Sequence, residues 1–205
     1  MFTDPNQAEL TKDQRQFNER LIRKLEELEI VYAIGGSVAA MSYSKSARFT
    51  KDVDMMLNAD MSALEVLINE VEQWQLYIDP LDTILEFNLP GLLPINVMDG
   101  LLGTKADLYV ARTEGLDASA MSRRRKRKLY LEPDFDAWFL APENVILYKL
   151  DYFRQSEGTA QKHPTDIHNM LRVIEHELDF AYLEYWAGQT GVLNIWLALW
   201  DEFKR

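Results

Sequence analysis

The sequence contains no cysteine, and this absence excludes both a disulfide framework and a metal site built on thiolates. It also lacks an apolar run long enough to span a bilayer, so we expect no membrane partner. The first ten residues have neither the basic region nor the apolar region of a signal peptide. The expected location is therefore the cytoplasm.

Basic residues are scarce, since 22 Lys and Arg stand against 33 Asp and Glu, for a net charge of −11. Broad, non-specific binding of nucleic acid depends on many phosphate contacts from a basic surface, so this charge argues against it. The exception is one dense basic run, Arg123–Lys128. It is either a solvated loop leading into an edge strand, where charge hinders sheet-to-sheet pairing, or a clamp for a polyanion.

Hydrophobic periodicity divides the 205 residues into two parts. The first part begins with an amphipathic helix within residues 11–29 and continues with short apolar runs typical of strands. These runs are Val31–Ile34, Asp52–Leu57, Tyr77–Ile78, Ile84–Phe87, Ile95–Met98, Ala106–Val110, Lys128–Leu131 and Ala137–Leu140. From Pro142 onward the period is helical. The pattern predicts an α/β (α+β) fold: a mixed sheet flanked by helices over residues 1–140, followed by a C-terminal helical bundle over residues 141–205.

Acidic residues mark one face of the second predicted strand. Side chains alternate along a strand, so Asp52 and Asp54 project to one side while Val53 points to the other. Two carboxylates fixed this close repel each other unless a cation lies between them, and Mg²⁺ with a bound phosphate is the usual partner. A later strand carries Asp107 on the face opposite to Ala106, as a ligand on an otherwise buried strand must be.

A turn of small residues, Gly35-Gly36-Ser37, precedes this acidic strand and opens a predicted helix. Glycine has no Cβ atom to block close approach, and backbone N–H groups at a helix start attract phosphate. An ordinary turn capped by Ser37 is compatible with the same role. Two further residues are phosphate-binding candidates: Thr50 lies beside the acidic pair, and Lys105 shares the strand face of Asp107.

Four motifs in sequence resemble the nucleotidyltransferase superfamily that includes DNA polymerase β, and their spacing is similar to its AbiEii-like toxin branch. They cover roughly residues 30–190. They are Gly35-Gly36-Ser37 with Thr50-x-Asp52-x-Asp54, Asn96–Gly100 with Lys105–Leu108, Ala141–Leu150, and Thr165-Asp166-Ile167. The resemblance implies a nucleotidyltransferase fold with a mixed sheet and a helical C-terminal part.

The resemblance also implies a function. A member of this superfamily transfers a nucleoside monophosphate from an NTP to an acceptor hydroxyl and uses Mg²⁺ or Mn²⁺. By resemblance, Asp52 and Asp54 hold the nucleotide-bound cation, and Asp107 joins in activating the acceptor. Lys149 becomes a nucleotide contact rather than a lysine that snorkels from an apolar helix face. Asp166 belongs to the helical part of the site, although alone it could cap its helix or face solvent.

The sequence leaves the identity of the acceptor open. Toxin-like relatives imply tRNA or other RNA ends or protein side chains, and with them an antitoxin partner, while small molecules such as aminoglycosides are acceptors on the same fold. The run Arg123–Lys128 would then hold either the triphosphate or an RNA acceptor. The rival hypothesis is a non-catalytic nucleotide-binding or protein-interaction module that retains the fold.

Overall fold

The computed structural model describes residues 12–44, 46, 50, 52–79, 81, 83, 88, 94–130 and 135–205. Its centre is a sheet of seven strands in the order β3-β4-β5-β2-β1-β7-β6. The strands are β1 (Val31–Ile34), β2 (Asp52–Asn58), β3 (Tyr77–Ile78), β4 (Ile95–Asp99), β5 (Thr104–Val110), β6 (Arg125–Tyr130) and β7 (Phe135–Phe139). The pairs β2–β5 and β1–β7 are parallel and the other four pairs are antiparallel, which confirms the predicted mixed sheet.

Helices cover the sheet and make up the C-terminal part of the chain. They are α1 (Lys12–Glu27), α2 (Gly36–Ser42), α3 (Met61–Gln73), α4 (Gly115–Ser122), α5 (Pro142–Gln155), α6 (Lys162–Ile174), α7 (Phe180–Gln189) and α8 (Leu193–Lys204), with a 3₁₀ turn at Glu175–Glu177. The proline at the first turn of α5 explains where that helix begins, because proline lacks the N–H that a first turn leaves unpaired. No helix within the described ranges has an apolar stretch long enough to cross a bilayer.

One apolar core runs through both predicted parts of the chain. It includes fully buried residues of α1, the central strands and the C-terminal helices, such as Phe17, Leu57, Leu150 and Trp196. Helix α2 packs against both α5 and α6, and so connects the sheet to the helical part. The division at residue 140 stays a prediction about domains.

One predicted strand begins earlier in the structure, and another falls on residues that the structure does not describe. The strand predicted at Lys128–Leu131 begins earlier, at Arg125, so most of the basic run belongs to β6 itself. This strand lies at the end of the sheet and pairs with β7, which confirms the edge-strand interpretation. The strand predicted at Ile84–Phe87 lies outside the described residues.

Candidate active site

A cleft of about 680 Å³ lies between the face of β2 and β5 and the helices α5 and α6. Eight of the ten residues proposed from the sequence line it: Gly35, Gly36, Ser37, Thr50, Asp52, Asp54, Asp107 and Lys149. The other two, Lys105 and Asp166, do not line the cleft, but each is bonded to a residue that does. The structure therefore gathers residues that are more than 100 positions apart in sequence.

The parallel register of β2 and β5 brings the acidic residues together. Asp54 is the direct neighbour of Asp107, and Asp52 is the neighbour of Lys105. Along β2 the burial alternates, with Val53 fully buried between two half-buried aspartates, so both aspartates lie on the cleft face. Three carboxylates thus share one face of two adjacent strands.

The surroundings of Asp54 disfavour the charged form of its carboxyl group. Burial raises the pKa of the Asp54 carboxyl above its usual range, and the negative charge of Asp107 adds to the effect. The ammonium of Lys149 acts in the opposite direction, but it does not cancel the shift. Ionising Asp54 in the metal-free cleft therefore costs free energy.

Lys105 neutralises the third carboxylate. Its Nζ lies 2.9 Å from Oδ1 and 3.1 Å from Oδ2 of Asp107. Burial alone would lower the pKa of Lys105, but the hydrogen bond and negative charge of Asp107 outweigh it, and the pKa is raised. The lysine proposed from the sequence as a phosphate contact is held by the carboxylate two residues away.

The glycine turn forms the wall of the cleft beside Asp54. The backbone N–H of Gly35 donates a 2.8 Å hydrogen bond to the carbonyl oxygen of Asp54, which ties the turn to β2. Gly36 has a φ of +56° and packs directly against the Asp54 carboxylate. Near the start of β2, the Thr50 hydroxyl donates a 3.2 Å hydrogen bond to the Asp52 carbonyl oxygen.

Lys149 and Asp166 form a buried ion pair between α5 and α6. The Lys149 ammonium donates a 2.7 Å hydrogen bond to Oδ2 of Asp166, and the two residues are 3% and 8% exposed. The snorkelling interpretation of Lys149 is therefore wrong, as is the solvent-facing interpretation of Asp166, while helix capping by Asp166 stays a prediction. The pair places a positive charge at the cleft wall, close enough to act on Asp54.

Aromatic side chains in the cleft were missed by the sequence reasoning. Tyr109 lies two residues after Asp107 on β5, and it shares a hydrogen bond with Tyr152 of α5. Tyr152 stacks on His163 with ring centroids 5.9 Å apart. Tyr148 donates a 2.6 Å hydrogen bond to Asp117 of α4. Strand alternation could have found Tyr109, whereas the helix residues carry no signal that separates them from ordinary core.

The basic run lies away from the cleft, and none of its six residues is among those lining it. The Arg123 guanidinium lies 4.0 Å from the ring centroid of Tyr182 and 3.6 Å from both Glu143 and Asp179. The cleft therefore gives no support to the triphosphate-clamp alternative for the run, which stays a prediction.

Two further arginines of the run also make internal contacts. Arg124 lies over the ring of Trp138, with its guanidinium carbon 4.7 Å from the ring centroid. Arg127 lies over Tyr43 and donates a 2.6 Å hydrogen bond to the Ser42 carbonyl oxygen. These side chains fix the edge strand to its neighbours.

Comparison with known proteins gives results at the level of structure alone. No family model matches the sequence, and no curated protein matches it. Among solved structures, the antibiotic-resistance factor ANT(2'')-Ia superposes with a TM-score of 0.58 at 13% identity, over 95% of this chain and 97% of that one. The chain has the nucleotidyltransferase fold. An antigenic nucleotidyltransferase-like protein from Paracoccidioides brasiliensis agrees, with a TM-score of 0.53 at 20% identity over 80% of this chain and 78% of that one.

The nucleotidyltransferase fold implies a divalent metal, and the cleft residues fit one. Mg²⁺ usually keeps several waters and takes one or two carboxylates together with substrate phosphates. Within the described residues, no group of three or more His, Cys, Asp or Glu is arranged to hold an ion by itself. Asp52 and Asp54 offer two hard oxygen ligands, and the raised pKa of Asp54 marks negative charge that a cation would neutralise.

Proposed function

We propose that this chain is an Mg²⁺- or Mn²⁺-dependent nucleotidyltransferase that transfers a nucleoside monophosphate from an NTP to an acceptor hydroxyl. One observation carries the proposal: Asp52, Asp54 and Asp107 share one cleft with the glycine turn, on a nucleotidyltransferase fold. The spacing in sequence and the strand register support the same acidic residues, and the fold supports the class of reaction.

The roles follow from position in the cleft. Asp52 and Asp54 would hold the cation, which stabilises the charge that develops on the transferred phosphoryl group. The backbone at Gly35, Gly36 and Ser37 would face the phosphates, and the missing Cβ of Gly36 makes room for the Asp54 carboxylate beside it. The remaining nucleotide contacts proposed are Thr50, Lys105, Lys149 and Asp166, with Asp166 acting by holding Lys149 in place.

The chemistry is a displacement at phosphorus. The acceptor oxygen forms a bond to the α-phosphorus, and the bond from that phosphorus to the oxygen bridging to the β-phosphorus breaks. Pyrophosphate leaves with the bonding electrons, and the acceptor proton passes to the Asp107 carboxylate. Because Asp107 lies beside Asp54, the proton acceptor and the nucleotide-binding carboxylates are adjacent.

The acceptor is proposed from the position of the basic run. Arg123, Arg124 and Arg127 are engaged by neighbouring side chains and carbonyl groups, and no residue of the run lines the cleft. A tRNA or other RNA acceptor therefore finds no basic path into the site among these residues. A small molecule or a protein side chain fits better, in keeping with ANT(2'')-Ia, which is an antibiotic-resistance factor.

Membership of the AbiEii-like branch is proposed on the motifs alone. It would make the chain the toxin of a toxin–antitoxin pair, with an antitoxin protein as its partner and the cytoplasm as its location. The motifs that support it are the Thr50–Asp54 segment and the segment Ala141–Leu150.

The test is transfer of label from NTPs radiolabelled at the α-phosphate. Each NTP is incubated with Mg²⁺ and the purified chain, in the presence of total RNA, a protein extract or an aminoglycoside panel. We expect the wild type to label one acceptor class and Asp54→Asn to label none. Asp201→Asn, at an exposed position on α8, is the matched control and should label normally.

Two outcomes would contradict the proposal. Labelling that persists in Asp54→Asn would rule out the role of the acidic pair. Absence of labelling by the wild type with any acceptor, together with retained NTP binding, would identify a non-catalytic nucleotide-binding module instead.

A further inference from the structure

Four charged side chains form a square on the cleft face of the sheet. Asp52 lies beside Lys105, and Asp54 lies beside Asp107, in the parallel register of β2 and β5. Each strand contributes two side chains on the same face, because the positions are two residues apart. The square therefore contains three carboxylates and one ammonium within a single two-strand unit.

The ammonium is not shared evenly among the three carboxylates. Lys105 Nζ contacts both oxygens of Asp107, at 2.9 and 3.1 Å. The Asp107 side chain is only 13% exposed, and that of Lys105 is 33% exposed. The ammonium donates a hydrogen bond to Oδ2 and lies against Oδ1, so its positive charge stands beside the Asp107 carboxylate, where a metal ion would otherwise bind.

The net charge of these four side chains limits the number of divalent cations that they can bind. Three carboxylates and one ammonium leave two negative charges, which equal the charge of one divalent cation. A second divalent ion would leave the square positive before any nucleotide arrived. Lys149 and Lys162 add further positive charge close to Asp54, and Asp166, the partner of Lys149, does not line the cleft.

We propose that Lys105 takes the place of a second divalent cation at Asp107, so that the cleft binds a single divalent ion through Asp52 and Asp54. This inference rests on the proposed function, because it concerns the cation of that same site. Lys105 is then a positioning residue rather than a nucleotide contact. Its ammonium holds the Asp107 carboxylate in the cleft without a metal bond.

The test counts bound ions rather than turnover. Mn²⁺ is titrated into the purified metal-free chain without nucleotide, and free Mn²⁺ is measured by electron paramagnetic resonance. We expect one Mn²⁺ per chain in the wild type and two in Lys105→Met, because removal of the ammonium frees both oxygens of Asp107. Lys105→Arg keeps the positive charge and should still bind one.

Controls keep the result interpretable. Lys126→Met removes an exposed lysine from β6, far from the cleft, and should leave the count at one. Circular dichroism of each variant checks folding, and the conservative Lys105→Arg variant reports on charge if Lys105→Met fails to fold. Asp54→Asn should abolish binding, which locates the counted ion.

The two proposals fail in different ways. Two Mn²⁺ per wild-type chain, or an unchanged count of one in Lys105→Met, would overturn the role of Lys105 and leave the proposed transferase intact. A wild type that binds no Mn²⁺, with or without an NTP, would overturn the metal-dependent function itself.

Discussion

A Cβ atom built on Gly36 would lie 1.8 Å from Oδ2 of Asp54. The carboxylate therefore packs against bare backbone, and Gly36 itself has a φ of +56°, which side chains rarely adopt. Two separate requirements, for space and for backbone conformation, meet at one residue. This contact determines where the Asp54 carboxylate can be.

Gly36→Ala should destabilise the chain and displace the Asp54 carboxylate. Gly103 is the matched control, since it has a φ of +63° and nothing within 4 Å of an added Cβ. Gly103→Ala should cost about 1–2 kcal/mol from backbone strain alone. Gly36→Ala should cost more than that in urea unfolding and should also lose Mn²⁺ binding. Equal costs for the two variants would contradict the contact.

Breaking the buried Lys149–Asp166 pair should be strongly destabilising. Asp166→Asn removes the carboxylate to which Lys149, only 3% exposed, donates its 2.7 Å hydrogen bond, so we expect a loss of about 3–5 kcal/mol in urea unfolding. Glu19→Gln, which breaks the exposed pair with Arg23, should cost only about 0.3–0.5 kcal/mol. The double variant Lys149→Met with Asp166→Leu should recover most of the loss. A loss in Asp166→Asn no larger than that of the exposed pair would be inconsistent with the buried geometry.

Arg123 and Lys126 should behave differently, although both belong to the basic run. Arg123→Met removes the guanidinium beside the fully buried Glu143 and the Tyr182 ring, and should cost about 2 kcal/mol. Lys126→Met changes an exposed side chain and should leave the thermal midpoint unchanged. Thermal unfolding of the two variants side by side checks this. Similar midpoints would mean that the contacts of Arg123 contribute nothing.

Asp54 should make the metal-free chain less stable as pH rises. Its native pKa lies above the ordinary value of 3.8, first because of burial and then because of Asp107. At pH values between the ordinary pKa and the raised native pKa, the native chain binds more protons than the unfolded chain. The free energy of unfolding therefore falls as pH rises. Asp54→Asn cannot ionise and should be more stable than wild type at neutral pH, with the difference gone near about pH 3.

Urea midpoints across pH, in chelator, measure this difference. The matched variant Asp201→Asn changes a carboxylate on the exposed end of α8, where no comparable gain is expected. A constant difference at every pH would show that Asp54 does not carry the effect. Saturating Mn²⁺ should reverse the order at neutral pH, because only the wild type binds it.

The sequence predicted most of the elements and the membership of the acidic group, because both depend on local periodicity. Strand alternation placed Asp52 and Asp54 on one face, and the structure has them there. The partners of individual charges could not be predicted in this way. Lys149 meets Asp166 across two helices, and Arg127 reaches the Ser42 carbonyl oxygen 85 residues away. Such contacts depend on how elements pack, which one sequence does not specify.

The basic run illustrates the same limit. Its composition predicted an edge strand or a polyanion clamp, and the edge strand was confirmed. Composition could not show that Arg123, Arg124 and Arg127 lie over aromatic rings contributed by distant segments. The charge of the run can be read from the sequence, whereas the aromatic rings and carbonyl group that its arginines contact depend on the fold.

The register in which β2 pairs with β5 is locally frustrated, because it places two like charges side by side. It sets Asp54 directly beside Asp107, and like charges in neighbouring strand positions are destabilising. A slip of two residues would keep every side chain on its own face and set Asp54 beside Lys105, with Asp107 beside Met56. Charge alone would therefore select the slipped register, in which the acidic group is dispersed. The buried apolar residues of both strands hold the observed register against the repulsion between Asp54 and Asp107 in the cleft, and a bound cation would relieve that repulsion.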